Sequence, residues 1–244
     1  MNRKIVLCLF IALSLTLALT LGFTGTGKGS GERNMFEEIV PVGAPAADFS
    51  LELLDGGTIT LESLKGKIVV IVNGARTCPH FLIYVNSMDE LYKAYQGRDD
   101  VEFLYLYTRE PYAGAAPGYA YSYTDVSQPE SYEERKQYAS IVRDENKIDI
   151  PMMIDTMDGA VQKAYGNMPN SVVIIDRDGK IVARDRWNDP LLVELALRDM
   201  VDDPPEVKQV ETMKSCENCH EDRVQTIDEG PEYNCASCHS LKKA

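Results

Sequence analysis

The spacing of apolar positions divides the chain into three parts. An unbroken apolar run from Ile5 to Phe23 follows the basic pair Arg3-Lys4 and carries no charge. Its 19 residues just suffice to span a bilayer as a helix, and its terminal position and basic flank are those of an export signal. Residues 1–23 are therefore expected to be a signal peptide or an N-terminal membrane anchor, with everything after Phe23 facing outside. Cys8, preceded by Leu7, is one more apolar residue of that run. Residues 24–41 open with a Gly-, Ser- and Thr-rich stretch and form a flexible linker.

Residues 42–200 alternate between the period of a strand and that of a helix. Phe49 to Leu54 and Thr58 to Leu61 read as two strands around the turn Asp55-Gly56-Gly57. Ile68 to Val72 is a continuous β-branched run, the mark of a strand buried on both faces. Pro79 suits the first turn of a helix to about Gln96, with Phe81, Val85, Met88, Leu91 and Tyr92 at helical spacing. Val101 to Tyr107 is a second buried strand, and Arg109 to Gln128 a long loop. Ser131 and Glu134 form a capping box for a helix to about Glu145. Met152 to Ile154 is a short strand, Gly159 to Tyr165 a short helix, and Val172 to Ile175 with Lys180 to Arg184 a hairpin around Asp176-Arg177-Asp178-Gly179. Asp189-Pro190 caps a last helix to about Met200. The order predicts a mixed α/β three-layer sandwich, with parallel crossovers followed by a C-terminal hairpin and helix.

Composition narrows the function. At 44% hydrophobic and 26% charged residues the chain can bury a core. A net charge of −13 argues against nucleic acid, whose phosphates require a basic partner.

Of six cysteines, Cys78 lies where a strand gives way to a helix, directly before Pro79. Unpaired N–H groups and the helix dipole at that position favour a thiolate, and Arg76 and His80 flank it with further positive charge. The alternative is a small buried core residue.

The segment Gly74-Ala75-Arg76-Thr77-Cys78-Pro79-His80-Phe81 resembles the iodothyronine deiodinases, a family with selenocysteine where this chain has Cys78. Tyr105-Leu106-Tyr107 leading to Glu110, Asp155-Thr156-Met157-Asp158, Ala164-Tyr165-Gly166 and Pro169 extend the likeness over residues 42–198. The entry segment Val42 to Phe49 is similar to that of thioredoxin-like redoxins. The resemblance implies a thioredoxin-like fold and a nucleophilic Cys78. Thr77 and Arg76 become candidates for orienting or charge-stabilising roles, Glu110 for proton transfer, and Pro169 for a cis proline facing the cysteine. The histidine and tryptophan that follow the glutamate in that family are absent, Tyr112 standing in the loop instead. Peroxiredoxins place a threonine where this chain has Ala75, and thioredoxins a second cysteine where it has Phe81.

Residues 201–214 begin as an acidic, proline-bearing linker. Residues 215–244 then hold Cys216-Glu217-Asn218-Cys219-His220 and Cys235-Ala236-Ser237-Cys238-His239. C-x-x-C-H is the attachment signature of c-type haem: both thiols bond the macrocycle and the histidine reaches the iron. The expected cofactors are two covalent haems held by Cys216, Cys219 and His220 and by Cys235, Cys238 and His239, with Met213, Lys214, Lys242 or Lys243 as candidate distal ligands. Zinc at Cys216, Cys219, Cys235 and Cys238 is the rival reading, and two disulfides the third.

The expected protein is thus an exported, periplasmic or cell-surface thiol oxidoreductase joined to a dihaem electron-transfer module. Its expected partners are a small electrophilic substrate, and a redox protein or external thiol that resets Cys78. The competing classes are a non-enzymatic electron carrier with a docking domain and a zinc-stapled binding module.

Overall fold

The computed structural model describes residues 41–114, 125–207 and 242–243. The apolar run, the linker after it and both C-x-x-C-H motifs lie outside these residues. No described helix is long and apolar enough to cross a membrane.

The β-branched run becomes β3 (Ile68–Gly74), buried at every position. Alternation sends Ile68, Val70 and Val72 into one core and Val69 and Ile71 into another, which is why the run needs no polar face. The elements before it are β1 (Ser50–Leu53) and β2 (Thr58–Thr60). After it come α1 (Pro79–Tyr95), β4 (Val101–Tyr107), α2 (Tyr132–Asn146), β5 (Met152–Ile154) and α3 (Ala160–Ala164). The described part of the domain closes with β6 (Val172–Ile175), β7 (Ile181–Asp185) and α4 (Pro190–Arg198).

One sheet runs in the order β2-β1-β5-β4-β3-β6-β7-β8, where β8 is Lys242–Lys243. β3, β4 and β5 are parallel, β6 is antiparallel to β3, and β7 to β6. Helices α1, α2 and α4 bury Phe81, Met88, Leu91, Ala139, Val142, Val193 and Leu197 against one face. The opposite face packs Phe49, Leu51, Leu64, Val161 and Tyr165. This is the α/β sandwich expected from the sequence.

Local signals explain the element ends. The Ser131 hydroxyl accepts a hydrogen bond from the Glu134 N–H at 3.2 Å. The Glu134 carboxylate reaches past the cap to the N–H of Glu130 at 2.7 Å, so the capping box closes one residue earlier than expected. Asp189 caps α4 through the N–H of Leu191 at 2.9 Å. Gly74 at the end of β3 is required sterically, because a Cβ there would lie 2.4 Å from the Phe81 ring.

Three expectations change. The Met168–Pro169 bond is trans, as are all described peptide bonds. The chain turns instead through Gly166 and Asn167 at φ 100° and 55°, with the Asn167 N–H bonded to the Gln162 carbonyl at 2.7 Å, so the turn is complete before the proline. The expected linker also starts late: Val201 is buried, Val207 packs on the same core, and Arg98 and Arg177 hold the carbonyls of Asp203 and Met200. Finally, Lys242–Lys243 returns to pair with β7.

Candidate active site around Cys78

Cys78 caps the N-terminus of α1, directly after the turn that leaves β3. Its thiol is almost wholly enclosed, at 1% exposure. Two opposing effects act on its ionisation. The backbone N–H groups of Phe81 and His80 point at the sulfur and favour the thiolate, as a helix N-terminus should. Burial opposes them, the charge of Glu110 adds to the opposition, and burial wins: the thiol is pushed from 9.0 to about 11. At pH 7 about one thiol in 10⁴ is ionised in this state. The expectation of a ready thiolate is therefore reversed by desolvation.

The flanking cations do not rescue it. The Arg76 guanidinium lies over the Tyr138 ring, 5.8 Å from its centroid. His80 turns its ring to Trp187, with centroids 4.5 Å apart, and serves the sulfur through its main chain.

Beneath the cysteine, Glu110 organises the turn. It has no solvent exposure, and its carboxylate accepts the Thr77 N–H at 2.7 Å and the Tyr107 hydroxyl at 2.5 Å. Burial and the neighbouring Glu110 charge push the Tyr107 phenol well above its ordinary value, so it remains a donor to the carboxylate. The same phenol oxygen accepts the Arg76 N–H at 3.2 Å. Thr77 Oγ1 accepts the Tyr112 N–H at 3.2 Å, and Gln128 binds both the N–H and the carbonyl of Glu110. Arg135, also buried, donates to the carbonyls of Asp155 and Thr156 and sits within electrostatic reach of Glu110 and Tyr107.

The structure thus brings Thr77, Cys78 and Glu110 together, with Arg76 joined through its backbone alone. Pro169 is half-buried on the segment entering β6, where the following Ser171 binds Asn73 at the end of β3 through 2.8 and 2.9 Å contacts. Tyr107, Gln128 and Arg135 went unrecognised in the sequence. Tyr107 three residues before Glu110, at the end of a buried strand, was the available signal; Gln128 and Arg135 had none. No group of three or more His, Cys, Asp or Glu side chains able to hold a metal occurs among the described residues. A cavity of about 390 Å³ opens at the opposite end of β3, between Leu64, Val69 and Ile175. Its described lining contains no cysteine, and it is remote from this chemistry.

The sequence pattern of the AhpC/TSA family matches residues 42–184. Thyroxine 5-deiodinase of Gallus gallus is 30% identical over 153 residues, which cover 61% of this chain and 57% of that protein. The chain therefore spans little more than half the length of this curated relative. A candidate protein disulfide isomerase from Bacteroides thetaiotaomicron, solved in solution, superposes with a TM-score of 0.52 at 21% identity, covering 66% of this chain and 91% of that one. An uncharacterized conserved protein from Geobacillus kaustophilus gives 0.51 at 23%, covering 69% and 87%. These two likenesses establish the fold.

Proposed function

Since the chain belongs to the AhpC/TSA family and has a thioredoxin-like fold, we propose that it is a thiol-dependent oxidoreductase whose reacting atom is Cys78 Sγ. The observation that carries this reading is the seat of Cys78 at the N-terminus of α1, with two helix amides aimed at the sulfur and the turn before it fixed by Glu110. The amides are placed to stabilise the anion once the turn opens or a substrate replaces water around it. In the reaction, Sγ loses its proton and attacks a soft electrophile X–Y. The S–X bond forms, X–Y breaks, and Y leaves with the electron pair and takes up a proton. Peroxide oxygen, disulfide sulfur and halogen all fit that description. Glu110 and Tyr107 hold a proton between them directly below the turn, at 2.5 Å, which makes Glu110 a candidate for proton transfer.

The proposal includes export by residues 1–23, as signal peptide or anchor, and a dihaem module at the C-terminus. The donor sets Cys216, Cys219 and His220, and Cys235, Cys238 and His239, each supply two thiols and an adjacent imidazole, as covalent haem requires. Each haem, once attached, carries one electron.

The burial of Cys78 favours a second reading, an electron carrier whose redoxin-like domain only docks partners. One experiment separates the two. The full chain and its Cys78→Ser variant are offered tert-butyl hydroperoxide, a small disulfide and an iodinated phenol. Consumption of any of the three, lost in the variant, with a mass change at Cys78, supports the enzyme. Equal behaviour of both proteins towards all three overturns it.

A further inference from the structure

We infer that the turn between β7 and α4 is a gate on Cys78, with Asp185 as its positioning residue. Closed, the turn holds Trp187 on His80 and shuts the thiol in; ionisation of Asp185 opens it. The inference deepens the thiol reading above and rests on it.

A thiol that must meet an electrophile is here only 1% exposed, so one of the walls around it has to yield. The wall on the β4 side is clamped through Glu110. Cys78 itself is tied by its main chain, its N–H to the Ala75 carbonyl and its carbonyl to the Leu82 N–H, both at 3.1 Å. The wall on the β7 side is a short strap, residues 186–188. It hangs between Asp185, the last β7 residue paired with β6, and Asp189, the cap of α4. Contacts run unbroken from this strap to the sulfur. Asp185 Oδ1 accepts the Trp187 N–H at 3.1 Å, the Trp187 and His80 ring centroids are 4.5 Å apart, and the His80 N–H points at Cys78 Sγ. Because β6 lies between β3 and β7, the strap crosses the start of β6 to reach the first turn of α1.

What the strap buries decides when it lets go. Asp185 Oδ2 and both amide atoms of Asn188 lack partners while it is closed. Water satisfies all of them once it opens, which lowers the cost of opening this segment alone. The carboxyl matters most, because burying a charge costs more than burying an amide. Burial raises it from 3.8 to about 6; the Asp189 charge adds to the rise, and the Trp187 and Arg186 amides and Arg184 oppose it. The charged or titratable groups around Asp185 are Arg184 and Arg186 beside it, Asp189 at the α4 cap, and His80 of α1 across the ring contact, while β6 sets apolar Val172 opposite. With the ordinary value restored in the open form, opening becomes about 10²-fold more favourable between pH 3.8 and about 6, and is level above. The gate is thus shut in acid and released towards neutral pH.

The test follows modification of Cys78 in the full chain by 4,4′-dithiodipyridine from about pH 4 to about pH 8. One S–S bond forms as another breaks: Cys78–SH + PyS–SPy gives Cys78–S–SPy + PyS–H. Peptide mass spectrometry separates Cys78 from the other five cysteines. Asp185→Asn keeps an acceptor for the Trp187 N–H and cannot ionise, so the ratio of wild-type to variant rates cancels the thiol's own dependence on pH. That ratio is expected to lie near one at about pH 4, to rise at least tenfold by about pH 7, and then to level off. Trp187→Ala removes the ring from the strap and is expected to speed modification at least tenfold at about pH 4, where the wild type is shut. It decides alone where Asp185→Asn does not fold. A ratio that stays flat with pH overturns the gate, and so does a Trp187→Ala rate equal to that of the wild type in acid. A rising ratio in a chain that handles the three electrophiles no differently from its Cys78→Ser variant overturns the enzyme and leaves the gate.

Discussion

Two turns at the same pole of the sheet satisfy their buried polar groups to different degrees. Where β4 and β3 end, the carboxylate beside Cys78 is fully matched: both oxygens of Glu110 hold donors and its main chain is clamped by Gln128, while Asn73 Oδ1 and Arg135 Nε are the unpartnered buried atoms nearby. Where β7 ends, Asp185 is buried with one carboxylate oxygen unpartnered, and Asn188 is fully buried with neither amide atom bonded. Asn170, on the segment entering β6, is in the same position. Unmatched buried groups cost about 1–3 kcal/mol each, whereas a matched network is rigid and costly to break. The Glu110 turn, with fewer unmatched atoms and a clamped carboxylate, is therefore the better held of the two. A nucleophile on the rigid turn needs movement elsewhere to become accessible, and the β7 turn, which reaches α1 through Trp187 and His80, is the place with the least to lose.

Breaking the rigid turn should give the largest effect. Glu110→Ala leaves the Thr77 N–H and the Tyr107 hydroxyl without acceptors in a dry site, and is expected to cost about 4 kcal/mol in denaturant unfolding. A loss below about 1 kcal/mol would mean the network is loose. Burial is the main reason the thiol is raised; Glu110→Gln keeps an acceptor and removes the smaller contribution of the charge, so the midpoint of Cys78 alkylation by iodoacetamide should fall slightly below about 11.

The thiol itself gives the next effect. Its folded value, about 11, lies above the ordinary 9.0, so the folded state retains a proton that the unfolded chain releases. Stability from this source is complete below pH 9 and disappears as the pH rises to about 11, a change of about 3 kcal/mol. Unfolding at stepped pH should show this decline in the wild type and its loss in Cys78→Ser. Parallel curves would place the thiol in water.

How much of this contrast was legible beforehand follows from the range of each interaction. β3, β4 and α1 were readable because their signals are local: a β-branched run, a second apolar run, and a proline followed by apolar residues at helical spacing. Cys78 was readable for the same reason, as a residue between strand and helix. Its ionisation was not, since the helix amides are neighbours in sequence while the desolvating shell and Glu110, 33 residues from Thr77, come from elsewhere. The trans Pro169 bond escaped because the turn is made by Gly166 and Asn167. β8 escaped because two lysines carry no strand pattern, and the strand they pair with lies far back in the chain.

The yielding turn makes smaller predictions. Burial raises the Asp185 carboxyl from 3.8 to about 6, helped by the charge of Asp189 and opposed by the Trp187 and Arg186 amides and Arg184. A raised carboxyl favours folding while protonated, so its contribution is complete below pH 4 and lost as the pH approaches 6. Relative to Asp185→Asn, the wild type should lose at most about 3 kcal/mol across that window, and less if water enters the segment. A pH-independent difference between the two would show that Asp185 is already solvated. Asn188→Leu is the sharpest discriminator and the smallest change. It removes two unpartnered polar atoms from a fully buried site and keeps a similar volume, so stability should stay within about 1 kcal/mol of the wild type or rise. The same logic applied to the Glu110 turn predicts collapse, and the contrast between the two substitutions is the measurement. If Asn188→Leu costs as much as Glu110→Ala, the β7 turn is a second matched network, and the movement that exposes Cys78 must begin elsewhere.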